Sequence, residues 1–400
     1  MTAFSRGDDP PYPPVSRPGV PTAKSAIVSG QRNATVLADY TTLGLGGPAR
    51  DFVSADTEQG LIDAIRDADR SGEPVLLIGG GSNLVISDEG FPGKVVHVNT
   101  RGFTCVDVGA GAVSVTVAAG EDWDGVVAAT VAEGLAGLEP LSGIPGRAGA
   151  TPIQNVGAYG REVAEVITRV RVYDRQADQI RIIPNDGCRF SYRTSLFKSG
   201  RPEALISLPG GSRSPAAGQP RHVVLDVTFR LLRQSLSAPV KYAELAAELG
   251  VEMGDQAAAG EVRAAVIKIR SRKGMVLNPG DPDTRSAGSF FTNPVISAEE
   301  FAAVESAATA RGVGPVPHYP AGAGRVKVPA AWLIERSGFA KGYGAPGPAR
   351  VSAKHTLALV NAGEASTADL LALARQIVAG VQAAYGVTLT PEPILVGVTL

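Results

Sequence analysis

Only two cysteines, Cys105 and Cys188, occur in 400 residues. Two cysteines cannot build a disulfide framework, and neither has the spacing of a metal ligand. Histidine is also scarce. His97, His222, His318 and His355 are scattered too widely to suggest a metal site or a catalytic triad. Charge of one sign is missing too: 38 Lys and Arg against 39 Asp and Glu leave a formal net charge of −1. That balance offers no basic excess of the kind that binds nucleic acid. No apolar run approaches the ~20 residues that span a bilayer. Prolines and charges break up the start of the chain, where a hydrophobic signal core would lie. Together these absences leave a reducing cytoplasm as the expected compartment, with no metal, no membrane and no nucleic-acid partner.

The chain is rich in glycine, with 48 residues, and ordinary in hydrophobic (44 %) and charged (19 %) content. Its length allows a large core and two or three domains. Residues 1–33 carry six prolines and read as a disordered extension. Leu61, Ile62 and Ile65 have helical spacing within 58–68, and Gly72 ends that helix. A buried strand at 74–78 runs straight into Gly79, Gly80, Gly81, Ser82 and Asn83. Further strands are expected at 95–98, 112–118, 166–174, 179–184 and 222–232, with a helix at 124–133 closed by Gly134. Residues 209–220, rich in Gly, Ser and Pro, read as an exposed loop. From Tyr242 onward helices dominate, at 243–250, 261–274, 299–310 and 367–385. The fold class that follows is α+β.

The stretch around which the rest is organised is 138–160, LEPLSGIPGRAGATPIQNVGAYG. Its glycines allow left-handed backbone and close approach of a ligand, its prolines fix turns, and Gln154 and Asn155 add amides. Such a loop can wrap a flat, phosphate-bearing ligand. The earlier GGGSN, followed by Asp88, is a second candidate, because successive N–H groups of glycines form an anion-binding nest. It is not a Walker loop, since no Gly-Lys-Ser/Thr follows. GYGAPG at 342–347 matches a dinucleotide fingerprint in letters only, with Pro346 inside it and no strong strand before it. Three further segments carry polar groups in unusual settings. They are Tyr192 and Arg193 in SYRTSLFK, Ser289 in SAGSFFTNP, and Glu392 held between prolines in TPEP.

GGGSN, GIPGRAGATPIQNVGAYG, SYRTSLFK, AGSFFTNP, WLIER and PEP occur in one order along the chain. That order resembles the UDP-N-acetylenolpyruvoylglucosamine reductase family over roughly residues 36–400. The resemblance implies an FAD-binding domain of the vanillyl-alcohol-oxidase (PCMH) type, with two α+β subdomains, over 34–234. It implies an α+β substrate-binding domain over 235–385, and a segment 386–400 that returns to the active site. Gly79, Gly80, Gly81, Ser82 and Asn83 would hold the cofactor pyrophosphate. Ile144, Pro145, Gly146, Gly149, Thr151, Gln154, Asn155, Gly157, Ala158 and Tyr159 would line the flavin. Arg193, Ser289 and Glu392 would be catalytic. Tyr192, Tyr242, Lys273, Asn293 and Arg336 would bind substrate. Thr194 stands in place of the Asp of YRDS, and Thr390 in place of the first Glu of EPEP.

The implied activity is that of an NADPH-dependent oxidoreductase acting on CH–CH bonds. UDP-N-acetylglucosamine-enolpyruvate would be reduced to UDP-N-acetylmuramate through FAD, in peptidoglycan precursor synthesis. NADPH and the UDP-sugar would alternate as ligands of a monomer. Two rival readings are open from the residues: a flavin oxidase that uses O₂ on a sugar or alcohol, and a non-catalytic flavin- or nucleotide-sugar-binding module.

Overall fold

Helix α1 (Glu58–Ser71) begins at Thr57, whose side chain accepts from the Gly60 N–H, and ends at Gly72 in the left-handed region (φ 68°). Its buried stripe is the one read from spacing, Leu61, Ile62 and Ile65, extended by Ala68. The structure, a computed structural model, describes residues 35–198 and 220–400. The expected extension at 1–33 and all but the last residue of the expected loop at 209–220 lie outside the described residues.

The α1 stripe packs on a three-stranded parallel sheet ordered Ala49–Ala55, Phe91–Val98, Val75–Ile78. Val75, Val96 and Val98 face the helix side, while Leu76, Ile78 and Val95 join a separate core beneath. Burial on both faces is what makes 75–78 an unbroken apolar run. The middle strand begins at Phe91, four residues before the sequence signal. Pro92 and Gly93 hid its start, and the glycine is needed because a Cβ there would lie 2.1 Å from the Pro74 carbonyl oxygen. The strand Ala49–Ala55 was not anticipated. Its interior is half-buried or exposed, so it shows no clean alternation.

The second sheet is antiparallel, ordered Gln179–Pro184, Ile167–Asp174, His222–Arg233, Ala112–Ala118, Phe103–Gly109, with Leu135–Ala136 pairing on His222–Arg233. All but the last-named edge strand and the short pair were expected. Phe103–Gly109 is exposed along almost its whole length and so carries no hydrophobic pattern. Helix α2 (Trp123–Ala132) buries Trp123, Val126 and Val127. The Trp123 indole N–H donates to the Leu141 carbonyl at 3.1 Å, which fixes the helix to the start of the organising stretch.

Behind these sheets, α3 (Ala243–Leu249) and α4 (Ala259–Arg272) share a small core. Two short three-stranded sheets follow: Ser286–Ser289, Ala358–Asn361, Ala349–Val351, and Val295–Ser297, Arg325–Lys327, Tyr319–Pro320. They pack with α5 (Ala298–Ala310), α6 (Ala330–Arg336) and α7 (Thr367–Tyr385) around Phe290, Phe291, Leu333, Leu370 and Ile377. The end of the chain returns as Ile394–Val396, parallel to Leu84–Ile86. Asp88, read as part of a phosphate loop, has another task. Its carboxylate accepts from the N–H groups of Thr367 (2.8 Å) and Ala368 (3.1 Å) and so caps α7. Among the described residues no helix is long and apolar enough to cross a membrane.

Candidate active site

Two glycine loops meet at the C-terminal end of the parallel sheet. Val75–Ile78 delivers Gly79 to Asn83, and the organising stretch delivers Ile144 to Gly149 against them. A Cβ on Gly80 would sit 2.8 Å from the Gly146 Cα, and one on Gly146 would sit 2.9 Å from the Ser82 Oγ. Gly149 lies as tightly on Ala119. The result is a close-packed glycine cradle flanked by the Ser82 and Arg147 side chains, a form that lets main-chain N–H groups approach a diphosphate. These residues therefore fit the flavin dinucleotide implied by the resemblance.

Gly81 is the most constrained residue in the cradle. Its φ is +59°, and a Cβ would fall 1.9 Å from the Tyr40 carbonyl oxygen. Gly81→Ala is expected to strip most of the flavin absorbance from the purified protein. Gly312→Ala serves as control, because it has a similar φ (+64°) and no neighbour within 4 Å. Full flavin content in Gly81→Ala would show that the cradle is not the cofactor seat.

The organising loop divides its polar groups between inside and outside. Asn155 is 1 % exposed and left-handed (φ 47°). Its amide donates to Glu162 (2.7 Å) and to the Ser191 carbonyl (3.2 Å) and accepts from the Ala164 N–H. The Thr151 hydroxyl donates to the Ala148 carbonyl at 2.8 Å. Both side chains expected at the flavin are thus spent on loop shape. Gln154, Gly157, Ala158, Ile144 and Pro145 are half-buried. Tyr159, also left-handed (φ 51°), lies edge-on to Tyr242 with ring centroids 5.3 Å apart. Burial pushes its phenol up to about 12, against the pull of Arg270.

Asn155 also fixes the turn that carries Arg193. Ser191 and Thr194 exchange N–H···O=C bonds of 3.1 Å in both directions, so Tyr192 and Arg193 form the tip. Arg193 takes φ 53°, which costs an L-residue about 1–2 kcal/mol. Its Nη1 donates to the Gly157 carbonyl at 3.4 Å. Its Nε lies 3.1 Å from Glu392 Oε1, near enough for an ion pair but without the alignment of a hydrogen bond. Glu392 is 15 % exposed, and burial raises its carboxyl above the usual range, with Arg193 and Lys198 opposing.

Glu392 reaches this place because 390–392 runs beside the strand end that carries Ser289. Thr292 N–H donates to the Thr390 carbonyl (3.1 Å), and Glu392 N–H donates to the Phe290 carbonyl (2.9 Å). Phe290 and Phe291 are buried, with ring centroids 5.1 Å apart, and anchor Ser289 and Thr292 on either side. Asn83 closes the circuit. Its amide donates to the Glu392 carbonyl at 3.4 Å, and its own carbonyl accepts from the Ile394 N–H at 2.9 Å. Glycine cradle, Arg193 turn, Ser289 and Glu392 thus share one neighbourhood.

The expected substrate residues have varied settings. The Tyr192 phenol is raised by burial, with Arg193 and Asn293 opposing, and the Asn293 Oδ1 accepts from the Ala330 N–H (2.9 Å) at the start of α6. Lys273 pairs with Glu244 on α3 at 2.5 Å. Arg336 is exposed at the end of α6, and its carbonyl is bound by Arg311 and Tyr385. Sequence reasoning missed two groups. Strand pairing sets Lys327 opposite Tyr319, with its ammonium 5.1 Å from the Tyr192 ring and 5.9 Å from the Tyr319 ring. His355 is held down to about 4 by burial and by Lys273, Lys341 and Arg270 around it. A pairing register and a converging set of cations leave no mark in local sequence. Among the described residues there is no group of three or more His, Cys, Asp or Glu that could hold a metal.

Residues 49–182 match the family model described as an FAD binding domain. Residues 281–396 match the C-terminal domain of UDP-N-acetylenolpyruvoylglucosamine reductase. Over 367 residues the chain is 54 % identical to the UDP-N-acetylenolpyruvoylglucosamine reductase of Thermobifida fusca, covering 91 % of this chain and 97 % of that protein. The reductase of Streptomyces coelicolor is likewise 54 % identical, with 91 % and 90 % covered. The crystal structure of the Thermus caldophilus reductase superposes with a TM-score of 0.55 at 25 % identity, covering 90 % of this chain and 97 % of that one.

Proposed function

The chain belongs to the UDP-N-acetylenolpyruvoylglucosamine reductase family, and from that premise we propose how its own residues divide the reaction. It is an oxidoreductase of peptidoglycan precursor synthesis. It reduces UDP-N-acetylglucosamine-enolpyruvate to UDP-N-acetylmuramate with NADPH and FAD. FAD would be held by the glycine cradle of residues 79–83 and 144–149, and when bound it would supply hydride chemistry between NADPH and the substrate alkene.

The alkene of the enolpyruvyl group is conjugated to a carboxylate. Hydride added at its terminal carbon drives negative charge onto that carboxylate, as an enediolate. Arg193 supplies the fixed cation for it, held in place beforehand by the Ser191–Thr194 turn and the Gly157 carbonyl. Glu392 stands beside Arg193, and an ionised carboxylate there would repel the enediolate. The upward push of burial on Glu392 favours the neutral acid, which donates a hydrogen bond instead. Ser289 then gives its hydroxyl proton to the second alkene carbon. A serine is a weak acid, but the carbon is strongly basic, so the demand is on position. The observation that supports this trio best is the backbone bond from Glu392 to Phe290, which sets the acid next to Ser289.

Lys273, paired with Glu244 on α3, meets the UDP-sugar from the substrate side, and Tyr242 closes over it beside Tyr159. Residues 34–234 form the cofactor half, 235–385 the substrate half, and 386–400 return to complete the site. The protein works as a cytoplasmic monomer, and NADPH and the UDP-sugar take turns in one cleft. The test is an anaerobic visible-absorption trace with successive additions. Oxidised-flavin absorbance should bleach with NADPH and recover with the enolpyruvyl UDP-sugar. Flavin that bleaches but does not recover overturns the substrate assignment, and absence of flavin overturns the cofactor assignment.

A further inference from the structure

Lys198 ends the SYRTSLFK segment, and its ammonium donates to the main-chain carbonyl of Arg193 at 3.0 Å. This is the carbonyl of a residue that sits in the left-handed region without being a glycine. Such a conformation persists only where the surroundings over-determine it. The segment leading to Lys198 is itself anchored. The Ser195 hydroxyl donates to the Ile153 carbonyl at 2.8 Å, the Leu196 N–H donates to the Cys188 carbonyl at 2.8 Å, and Phe197 is buried against His222. Lys198 therefore leaves a fixed base and reaches back to the tip of its own turn.

We propose that Lys198 is a positioning residue for the reduction: it locks the left-handed backbone of Arg193 and places a second positive charge beside Glu392. It does not touch the reacting atoms. Its carbonyl contact fixes where the Arg193 side chain starts, and its charge biases the protonation of the neighbouring acid. The ionisable groups facing Glu392 are Arg193 and Lys198 from this segment, with the Tyr192 phenol beside them. Burial raises the Glu392 carboxyl, and Lys198 joins Arg193 in opposing that rise. Removing the lysine charge must therefore move the Glu392 ionisation to higher pH.

The inference rests on the roles proposed for Arg193 and Glu392, and the wild-type protein run alongside tests those roles separately. If wild-type flavin is not reoxidised by the enolpyruvyl UDP-sugar, that reading falls before any variant is considered. In Lys198→Met, flavin reduction by NADPH should stay within about twofold of wild type. Reoxidation by the sugar should slow about 10- to 100-fold, because a group that orients a catalytic cation is displaced. The alkaline limb of the reoxidation rate, where Glu392 loses its proton, should move to higher pH. Lys198→Arg should recover most of the rate and restore the limb.

Equal slowing of both half-reactions would assign Lys198 a purely structural role and overturn the proposal. So would an unchanged reoxidation rate. If Lys198→Met fails to retain flavin, Lys198→Gln decides, because it keeps a donor for the Arg193 carbonyl without the charge. A Lys198→Gln limb displaced upward with reduction by NADPH intact upholds the proposal, and an unmoved limb overturns it.

Discussion

Ser289→Ala is expected to leave reduction of the flavin by NADPH near the wild-type rate and to slow reoxidation by the enolpyruvyl UDP-sugar about 10⁴-fold. Loss of a positioned acid typically lies at about 10²–10⁴-fold, and the upper end applies where no other donor can take over. Ser289 stands at the end of Ser286–Ser289, fixed by the buried Phe290 beside it. Glu392 is tied to the Phe290 carbonyl by its backbone, so it is not free to swing into the serine's place. Alanine removes one hydroxyl without disturbing the two phenylalanines that shape the strand end. Stopped-flow absorbance of each half-reaction separates the cases. If both half-reactions slow together, Ser289 supports structure and another group is the proton donor.

Arg193→Lys is the second large effect, about 10²–10³-fold on reoxidation, the range for losing a pre-organised donor to a developing oxyanion. Lysine keeps the positive charge, so a pure charge requirement predicts little change. The guanidinium, however, contacts two partners at once, the Gly157 carbonyl through Nη1 and Glu392 near Nε. An ammonium is a point charge without that fork and cannot hold both while facing a carboxylate. The φ of 53° is equally awkward for either residue, so backbone strain cancels in the comparison. Reoxidation that stays within a few-fold of wild type would reduce Arg193 to a source of charge alone.

Strong local signals specify their elements without help from the rest of the chain. The Leu61, Ile62 and Ile65 stripe, the alternation over Ala112–Ala118 and the helix Thr367–Tyr385 all stand where the pattern put them. Strands with no alternating pattern of their own are not legible, whether exposed like Phe103–Gly109 or buried throughout like Leu84–Ile86 and Ala358–Asn361. Phe103–Gly109 exists because Ala112–Ala118 offers it an edge, and a neighbour's edge is not written in the strand's own residues.

Polar residues were harder to read. Asp88 and Asn155 stand beside glycine loops that suit a ligand, and the resemblance puts Asn293 near the substrate. In the fold Asp88 caps α7, Asn155 holds the Arg193 turn, and Asn293 caps α6. A side-chain amide or carboxylate near a glycine loop suits a backbone N–H as well as a ligand. Only the partner that arrives in space decides between them.

The sequence by itself determined the two glycine loops, the helices with clean spacing, and the order of motifs by which the family is legible. Those features depend on local backbone freedom and on periodic burial, which each short segment expresses alone. The tertiary structure decided which polar groups meet. Arg193 and Glu392 come from distant parts of the chain and touch because Ile394–Val396 pairs beside Leu84–Ile86 and draws the preceding carboxylate inward. Lys327 faces Tyr319, and His355 faces three cations, for the same reason. The contacts that select an acid, a cation and their protonation states are long-range, and long-range proximity is a property of the packed chain.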